Sequence, residues 1–406
     1  MGFSMAWHGL PCGPFRMDET ATRPYKRVMS HRFEIAIVGA GAVGLAAGIG
    51  FAQAGSRVAV IGTDGARRDG RTVALMETSL QVLERIGLRR LVEDHGAPLI
   101  HLRIIDDTGR LLRAPPVTFD SGEIGLPAFG INVESATLVD MIAAEAEKTA
   151  GLARIRDNAA GIEQNRILLS DGSAVEAELI IGADGRHSMV RKAAGIGTKE
   201  WTYDQTAVTA IFAHDRSHRD ISTEFHTAEG PFTLVPLPGK RSSLVWLCKP
   251  DRATRLMALE DAEFARAVED QAQSMLGAMR LDGPRGAVPM GGISVHDVIG
   301  PGVALAGEAA HVFPPIGAQG LNLGLRDVAD LLDAFSSGVS ETGFARYRKS
   351  RLSDIAFRTN AVDALNRSLL AGFLPVDAAR SMGLTLLGSI GPLRRFVMRQ
   401  GLGSAR

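Results

Sequence analysis

Apolar and polar positions along this chain follow two periods, and the places where one gives way to the other mark its elements. Residues 33–62, FEIAIVGAGAVGLAAGIGFAQAGSRVAVIG, run as an apolar strand, a glycine turn, an alanine-rich helix, a short AGS turn and a second apolar strand. That order is a βαβ unit. In RRDGRTVALMETSLQVLERIGL a basic loop leads into an amphipathic helix, with Leu80, Leu83 and Ile86 at helical spacing. Residues 98–118 alternate as strands, and 135–149, SATLVDMIAAEAEKT, follow a helical period. A strand meander with turns at QN and DG leads to the apolar strand of ELIIGADG. Between 206 and 248, TAVTAIFAH, ISTEFHT, PFTLVPLP and SSLVWLCK alternate as in an antiparallel sheet with one apolar face. A charged helix is expected over 259–276, another from Gln319 to Phe335, and helices fill the chain from about 341. The pattern predicts an α/β fold: a Rossmann-like domain with an inserted antiparallel sheet, followed by C-terminal helices.

The first turn carries specific chemistry. Gly39, Gly41 and Gly44 stand in G-x-G-x-x-G spacing between strand and helix. The first allows the tight turn, the second lets backbone approach a pyrophosphate, and the third lets helix and strand pack closely. Free N–H groups at the helix start would hold the phosphates. The acid expected about 20 residues later for the ribose hydroxyls is missing, because the second strand ends at Gly62 and the nearest acid is Asp64. Asp64 or backbone groups take that place, or the ribose contact is weak.

Composition narrows the class. The 406 residues are 45% hydrophobic and 22% charged, which suits a large globular body, and the zero formal net charge gives no global field for nucleic acid. Cys12 and Cys248 are far apart and match no metal spacing, which favours a reducing compartment. Residues 1–32 lack periodicity and read as an extension outside the fold, with Met17 and Met29 as plausible starts. Apolar runs are broken well short of a membrane span.

Local features alone leave three candidates open. Arg71 is either a solvated loop arginine or a charge beside a cofactor pyrophosphate. Asp184 and Gly185 stand where a buried strand emerges, a position that an ordinary turn also explains. In GEAAHVFPPIGAQGLNLG, His311 reads as a packed structural histidine rather than a proton donor, and Pro314 and Pro315 form a stiff wall without N–H donors.

Three separated segments, VGAGAVGLAAG, LIIGADGRHSMVR and VALAGEAAHVFPPIGAQGLNLGLRDVADL, together resemble the single-component FAD-dependent aromatic hydroxylases, the class A flavoprotein monooxygenases. Within that group the chain most resembles the ubiquinone-biosynthesis hydroxylases of 2-octaprenyl-phenol and 2-octaprenyl-6-methoxyphenol, from about residue 33 onward. The resemblance implies that Gly39, Gly41, Val43 and Gly44 form the FAD pyrophosphate turn and that Arg71 reaches the cofactor. It implies that Asp184 and Gly185 approach both FAD and the nicotinamide nucleotide, and that Asn132 is a polar FAD contact. Glu308 stands where the family has an aspartate bonding the ribityl chain. Pro315 and Gly317, with the helix-start N–H groups of Gly320, Leu321 and Asn322, would face the pyrimidine edge of the flavin, where a helix N-terminus stabilises the negative charge of the reduced ring.

The implied reaction uses NADPH or NADH to reduce FAD and O2 to form a flavin C4a-hydroperoxide, whose distal oxygen goes to a polyprenylated phenol. No residue is assigned as catalytic base, and no metal is expected. The chain divides accordingly into an FAD-binding domain (33–105, 135–200 and 295–340), a substrate-binding region (106–134 and 201–294) and a C-terminal helical region (341–406). After Asp377 five arginines and no acid are interspersed with apolar residues. This tail is either a packed helix with a solvated basic face or a surface for anionic lipid. The expected location is cytoplasmic, with a peripheral place on the inner membrane face, a homodimer and a biosynthetic complex all left open. Two other readings compete: a hydroxylase of a small soluble aromatic compound, and a non-catalytic FAD-binding accessory protein.

Overall fold

The computed structural model describes residues 30–63, 68–109, 113–313, 319–370 and 390–402, with backbone alone for 30, 319, 358–370 and 400–402. The expectations for Asp64, Pro314, Pro315 and Gly317, for nearly all of the N-terminal extension, and for Arg380 and Arg406 lie outside the described residues.

Ser30–Val38 pairs in parallel with Val58–Ile61 on one side and Ala174–Gly182 on the other. Leu152–Ile155 and Val303–Leu305 extend the parallel array at its two ends. Along residues 35–38, Val58–Ile61 and residues 179–182 its central strands are buried on both faces, which is why they read as continuous apolar runs rather than alternating ones. Helix Ala42–Gln53 is the crossover between the first two strands, and it packs against helices Ser135–Lys148 and Gln319–Phe335. Leu45, Ala46, Ala47, Ile49 and Phe51 are all fully buried, so this helix is apolar all round.

Among the described residues a second sheet has nine strands, centred on Thr198–His214 between Arg241–Cys248 and Gly286–Val295. Its alternation separates two faces. Val208, Ala210, Phe212, Leu244 and Trp246 point to one side, where helices Pro250–Ala258 and Asp261–Gln271 cover them. Thr209 and Ser243 point to the other, where Thr209 Oγ1 donates to Asp69 O and Ser243 Oγ bonds Thr72 Oγ1. The nucleotide-binding body therefore sits on that second face.

Two boundaries differ from the sequence expectation. The charged helix expected over 259–276 is shorter, Asp261–Gln271, opened by a capping box between Glu260 and Glu263, and a separate helix with Pro250 in its first turn, Pro250–Ala258, precedes it. Strand His101–Asp106 pairs with Ile221–Thr227, so the large sheet begins ahead of residue 106. A small sheet of Thr72–Met76, Gly130–Glu134 and Ala97–Pro98 lies between the two larger ones.

The last described helix, Gly391–Leu402, docks through Met398, buried with Leu99, Val117, Phe119 and Phe129. Arg394 anchors it to Glu123 at 2.7 Å. Among the described residues no helix is long and apolar enough to cross a membrane.

Candidate functional site

The carboxyl ends of three parallel strands meet at one edge. Gly39 N–H donates to Ile61 O, Ala183 N–H to Val38 O, and Ala306 N–H to Gly182 O, each at 2.8–2.9 Å. This sets the glycine turn, the Asp184–Gly185 turn and the Gly307–Ala309 3₁₀ turn side by side. Crevices outside the carboxyl ends of parallel strands are where open α/β sheets bind ligands.

The three fingerprint glycines differ in what surrounds them. At Gly39, with φ +119°, an added Cβ would lie 2.1 Å from Ala183 O, so strand packing forbids a side chain. A Cβ at Gly44 would lie 2.0 Å from Gly39 O, so the helix could not close on the turn. At Gly41, the N-cap of helix Ala42–Gln53, a Cβ would meet nothing within 4 Å. The helix N-terminus thus opens on free space, which fits a pyrophosphate approaching bare backbone. A cavity of about 250 Å³ opens beside Ala40, lined by Val139, Asp140, Ala143, Glu147 and Arg156. Gly62, with φ +156°, presses against Ala40: its Cβ would come 2.8 Å from Ala40 N. No side chain, acidic or otherwise, fits there.

Asp184 uses one carboxylate oxygen locally. Its Oδ2 accepts from Met189 N–H at 2.6 Å and Val190 N–H at 3.2 Å, while Oδ1 is buried without a hydrogen bond. Gly185, with φ +80°, has nothing within 4 Å of its Cβ position. An orphaned acceptor beside an open glycine fits a hydroxyl-bearing cofactor.

Glu308 is exposed between buried Gly307 and Ala309 and makes no hydrogen bond or ion pair among the described residues. The turn beneath it is tightly held. Asp327, fully buried on helix Gln319–Phe335, accepts at Oδ2 from Gly307 N–H and His311 Nε2–H, both at 2.7 Å. Its Oδ1 faces Arg351 Nε at 2.6 Å, and Arg351 Nη1 reaches Asp330 and Asp354 at 3.0 Å. Burial alone would lower the Arg351 pKa, but Asp327 and the other carboxylates outweigh it and hold it above the usual guanidinium value. Tyr347 donates to Leu305 O at 2.6 Å, and burial, then the Asp327 charge, pushes its phenol well above its ordinary value. Val43 closes the arrangement: its Cγ2 would lie 3.2 Å from a Cβ on Gly307 and 2.7 Å from one on Gly324.

Arg191 links the two turns, donating to Arg186 O and Ala309 O at 2.8 Å while 4% exposed. The sequence reading gave roles to neither Arg191 nor Asp327. Asp327 did leave a signal, a charge on the apolar stripe formed by Leu323, Leu331 and Val328. Arg191 left none beyond lying in the quoted motif.

The remaining candidates line the small sheet. Arg71 is exposed, and its Nε bonds both oxygens of Asp69 at 3.0 and 2.8 Å. Its terminal nitrogens have no partner among the described residues. Asn132 is buried and donates to Pro236 O at 2.8 Å and Ser243 Oγ at 3.3 Å, with Oδ1 unpartnered. Its amide therefore ties the small sheet to the large one. Gly320 is exposed and Leu321 half-buried in the first turn of helix Gln319–Phe335. Asn322 fastens that turn to the small sheet, accepting from Met76 N–H at 2.9 Å and donating to Ala74 O at 2.8 Å.

A family model described as "FAD binding domain" matches residues 32–352. The chain is similar to "Ubiquinone hydroxylase UbiL" of Rhodospirillum rubrum, 32% identical over 95% of this chain and 93% of that protein. It is also similar to "3-demethoxyubiquinol 3-hydroxylase" of Escherichia coli, 30% identical over 91% of this chain and 98% of that protein. In fold it resembles p-nitrophenol 4-monooxygenase PnpA from Pseudomonas putida DLL-E4, with TM-score 0.77, 19% identity, and 93% of this chain and all of that one covered.

Proposed function

Given that this chain belongs to the FAD-binding-domain family and is an FAD-dependent aromatic monooxygenase, we propose that its substrate is a polyprenylated phenol on the way to ubiquinone, hydroxylated with NAD(P)H and O2. The observation that carries the reading is the meeting of the glycine turn, Asp184 and Glu308 at one strand edge. FAD, when bound, supplies the redox and oxygen chemistry. The chain's own groups bind and orient it. The turn from Gly39 to Gly44 and the following helix N-terminus would hold the pyrophosphate, with Val43 setting its distance from Gly307. Asp184 Oδ1, beside the open backbone of Gly185, and Glu308 would accept from cofactor hydroxyls. Arg71 would offer its Nη atoms, which have no partner among the described residues, to a phosphate. The first turn of helix Gln319–Phe335, at Gly320, Leu321 and Asn322, would face the ring's pyrimidine edge. Asn132 ties the small sheet to the large one through its Nδ2, and its unpartnered Oδ1 would be the atom left for a contact with FAD.

The prenylated substrate is supported by the relatives' names and by the last described helix. Leu393, Phe396 and Val397 are 38%, 59% and 39% exposed, and Arg395 and Arg399 are exposed beside them, while Arg394 is engaged by Glu123. An apolar ridge flanked by arginines that have no ion pair among the described residues suits the surface of an anionic bilayer on the cytoplasmic side. Flotation with vesicles containing phosphatidylglycerol tests this: the full chain should float, and Phe396→Asp should stay at the bottom with its FAD retained. A wild-type chain that never floats would remove the membrane part of the proposal. For substrate class, NAD(P)H oxidation should be stimulated by a short-chain 2-prenylphenol and not by 4-hydroxybenzoate; the reverse order would favour a small soluble aromatic substrate.

A further inference from the structure

On the face of the nine-stranded sheet turned away from the nucleotide-binding body, a cavity of about 320 Å³ lies between the loop after Thr198–His214 and the end of helix Asp261–Gln271. Register places it there. Arg103 pairs with Thr223 and Thr223 with Leu234, while Leu234's neighbour Val235 is opposite Ser243, on the face that meets Thr72. The floor is the end of the sheet's core, with Phe225 and Leu234 buried. The wall is basic: Arg103, Arg216 and Arg219 line it, and none of the lining residues carries a carboxylate.

The charges are only partly used. Arg216 donates to Ser274 O at 3.3 Å. Arg103 and Arg219 have side chains with no hydrogen bond or ion pair among the described residues. Arg103 rises from a half-buried position on the sheet, so its stem packs on the floor while its guanidinium reaches the cavity. Arg219 and Asp220 both hold left-handed backbone, φ +53° and +56°, a conformation that costs energy for non-glycine residues and must be held in place by the surrounding loop. The loop is tied down by His218, whose Nε2–H donates to Leu237 O and whose Nδ1 accepts from Asp220 N–H, both at 3.0 Å. His214 beneath it donates from Nδ1 to Arg216 O at 2.7 Å and accepts at Nε2 from Ser242 Oγ. Its pKa is lowered, chiefly by burial. Both imidazoles therefore serve as struts of the loop, each bonded at both ring nitrogens. The positive field in the cavity comes from the arginines, which repel one another unless an anion lies between them.

We propose that this cavity is a second ligand site, separate from the flavin, that binds a small organic anion with an apolar body, such as an aromatic carboxylate. The guanidinium fork suits a carboxylate, and Phe225 and Leu234 suit a ring. The volume equals that of about ten waters, enough for one ring and its acid group.

The test is isothermal titration of the FAD-loaded full chain with benzoate, benzyl alcohol and inorganic phosphate, with the flavin spectrum recorded in parallel. Benzoate should bind saturably without changing the flavin spectrum, and more tightly than either benzyl alcohol or phosphate. Arg103→Gln and Arg219→Gln, singly and together, should each weaken benzoate about tenfold while FAD content stays as in the wild type. The single variants decide the matter if the double one fails to load FAD. The proposal is overturned if benzoate does not bind, if the variants bind it as the wild type does, if benzyl alcohol or phosphate binds equally well, or if binding perturbs the flavin.

Discussion

Alanine at Gly41 and alanine at Gly39 are expected to fail for opposite reasons. The Gly41 methyl meets no protein atom within 4 Å, so the apoprotein should keep its stability within about 0.5 kcal/mol. It enters the space a phosphate needs, so FAD affinity should fall about tenfold or more as backbone hydrogen bonds to the charged group lengthen. The Gly39 methyl would collide with Ala183 O at 2.1 Å and sit on a φ of +119°, so the apoprotein itself should lose roughly 4 kcal/mol or more. Thermal unfolding of both apoproteins, with flavin titration of Gly41→Ala, separates the two. Glu308 follows the Gly41 pattern: it is exposed and has no partner among the described residues, so Glu308→Ala should weaken FAD binding with an unchanged apo melting temperature, and Glu308→Asp should retain the cofactor. Full flavin occupancy in Glu308→Ala would deny it a cofactor role. The spacing of Gly39, Gly41 and Gly44 made their separate tasks legible, because each follows from a contact or its absence within one βαβ unit. Asn132 was not legible in this way, since its amide partners, Pro236 and Ser243, come from a sheet formed a hundred residues later in the chain.

Segment Leu305–Phe313 behaves as one clamped element. Tyr347 holds its start, Asp327 holds Gly307 and His311, Arg191 holds Ala309, and the exposed Glu308 is left facing outward. A buried carboxylate bonded to Gly307 and His311 and facing Arg351 costs much to alter, because removing its charge leaves the buried Arg351 Nε without its carboxylate and only Asp330 and Asp354 to balance the guanidinium. Asp327→Asn should therefore destabilise the apoprotein by about 3–5 kcal/mol and also lower FAD occupancy, since the turn carrying Glu308 would loosen. Chemical denaturation of the apoprotein and the flavin-to-protein ratio check the two parts. A variant with wild-type stability would show that the cluster is not the clamp described here. The helix from Gln319 to Phe335 was legible to the residue, because apolar spacing and the glycine-rich approach both point to its start. Its partner Arg351 was not, since a charge on a helix's apolar stripe announces a buried pair without naming the other member.

At the scale of the whole molecule the chain passes repeatedly between the parallel body and the nine-stranded sheet. The first βαβ unit and the alternation over 206–248 announced both bodies, because each buries a face with its own period. The crossings were harder to read. Strands His101–Asp106 and His311–Val312 are short pieces of the large sheet embedded in the other domain's sequence, and their register is set by partners more than a hundred residues away or by a single short contact. Those crossings tie the small sheet to the large sheet's face that carries Thr209 and Ser243, and join the stretch after the Gly307–Ala309 turn to the same sheet. The most direct measurement is turnover of a short-chain 2-prenylphenol by the FAD-loaded full chain under ¹⁸O2, with NAD(P)H consumption followed alongside. The expected result is a product carrying one labelled hydroxyl oxygen, formed in step with NAD(P)H oxidation and lost together with FAD in Gly41→Ala. NAD(P)H oxidation without label in any product, or labelled product from a protein that holds no flavin, would contradict it.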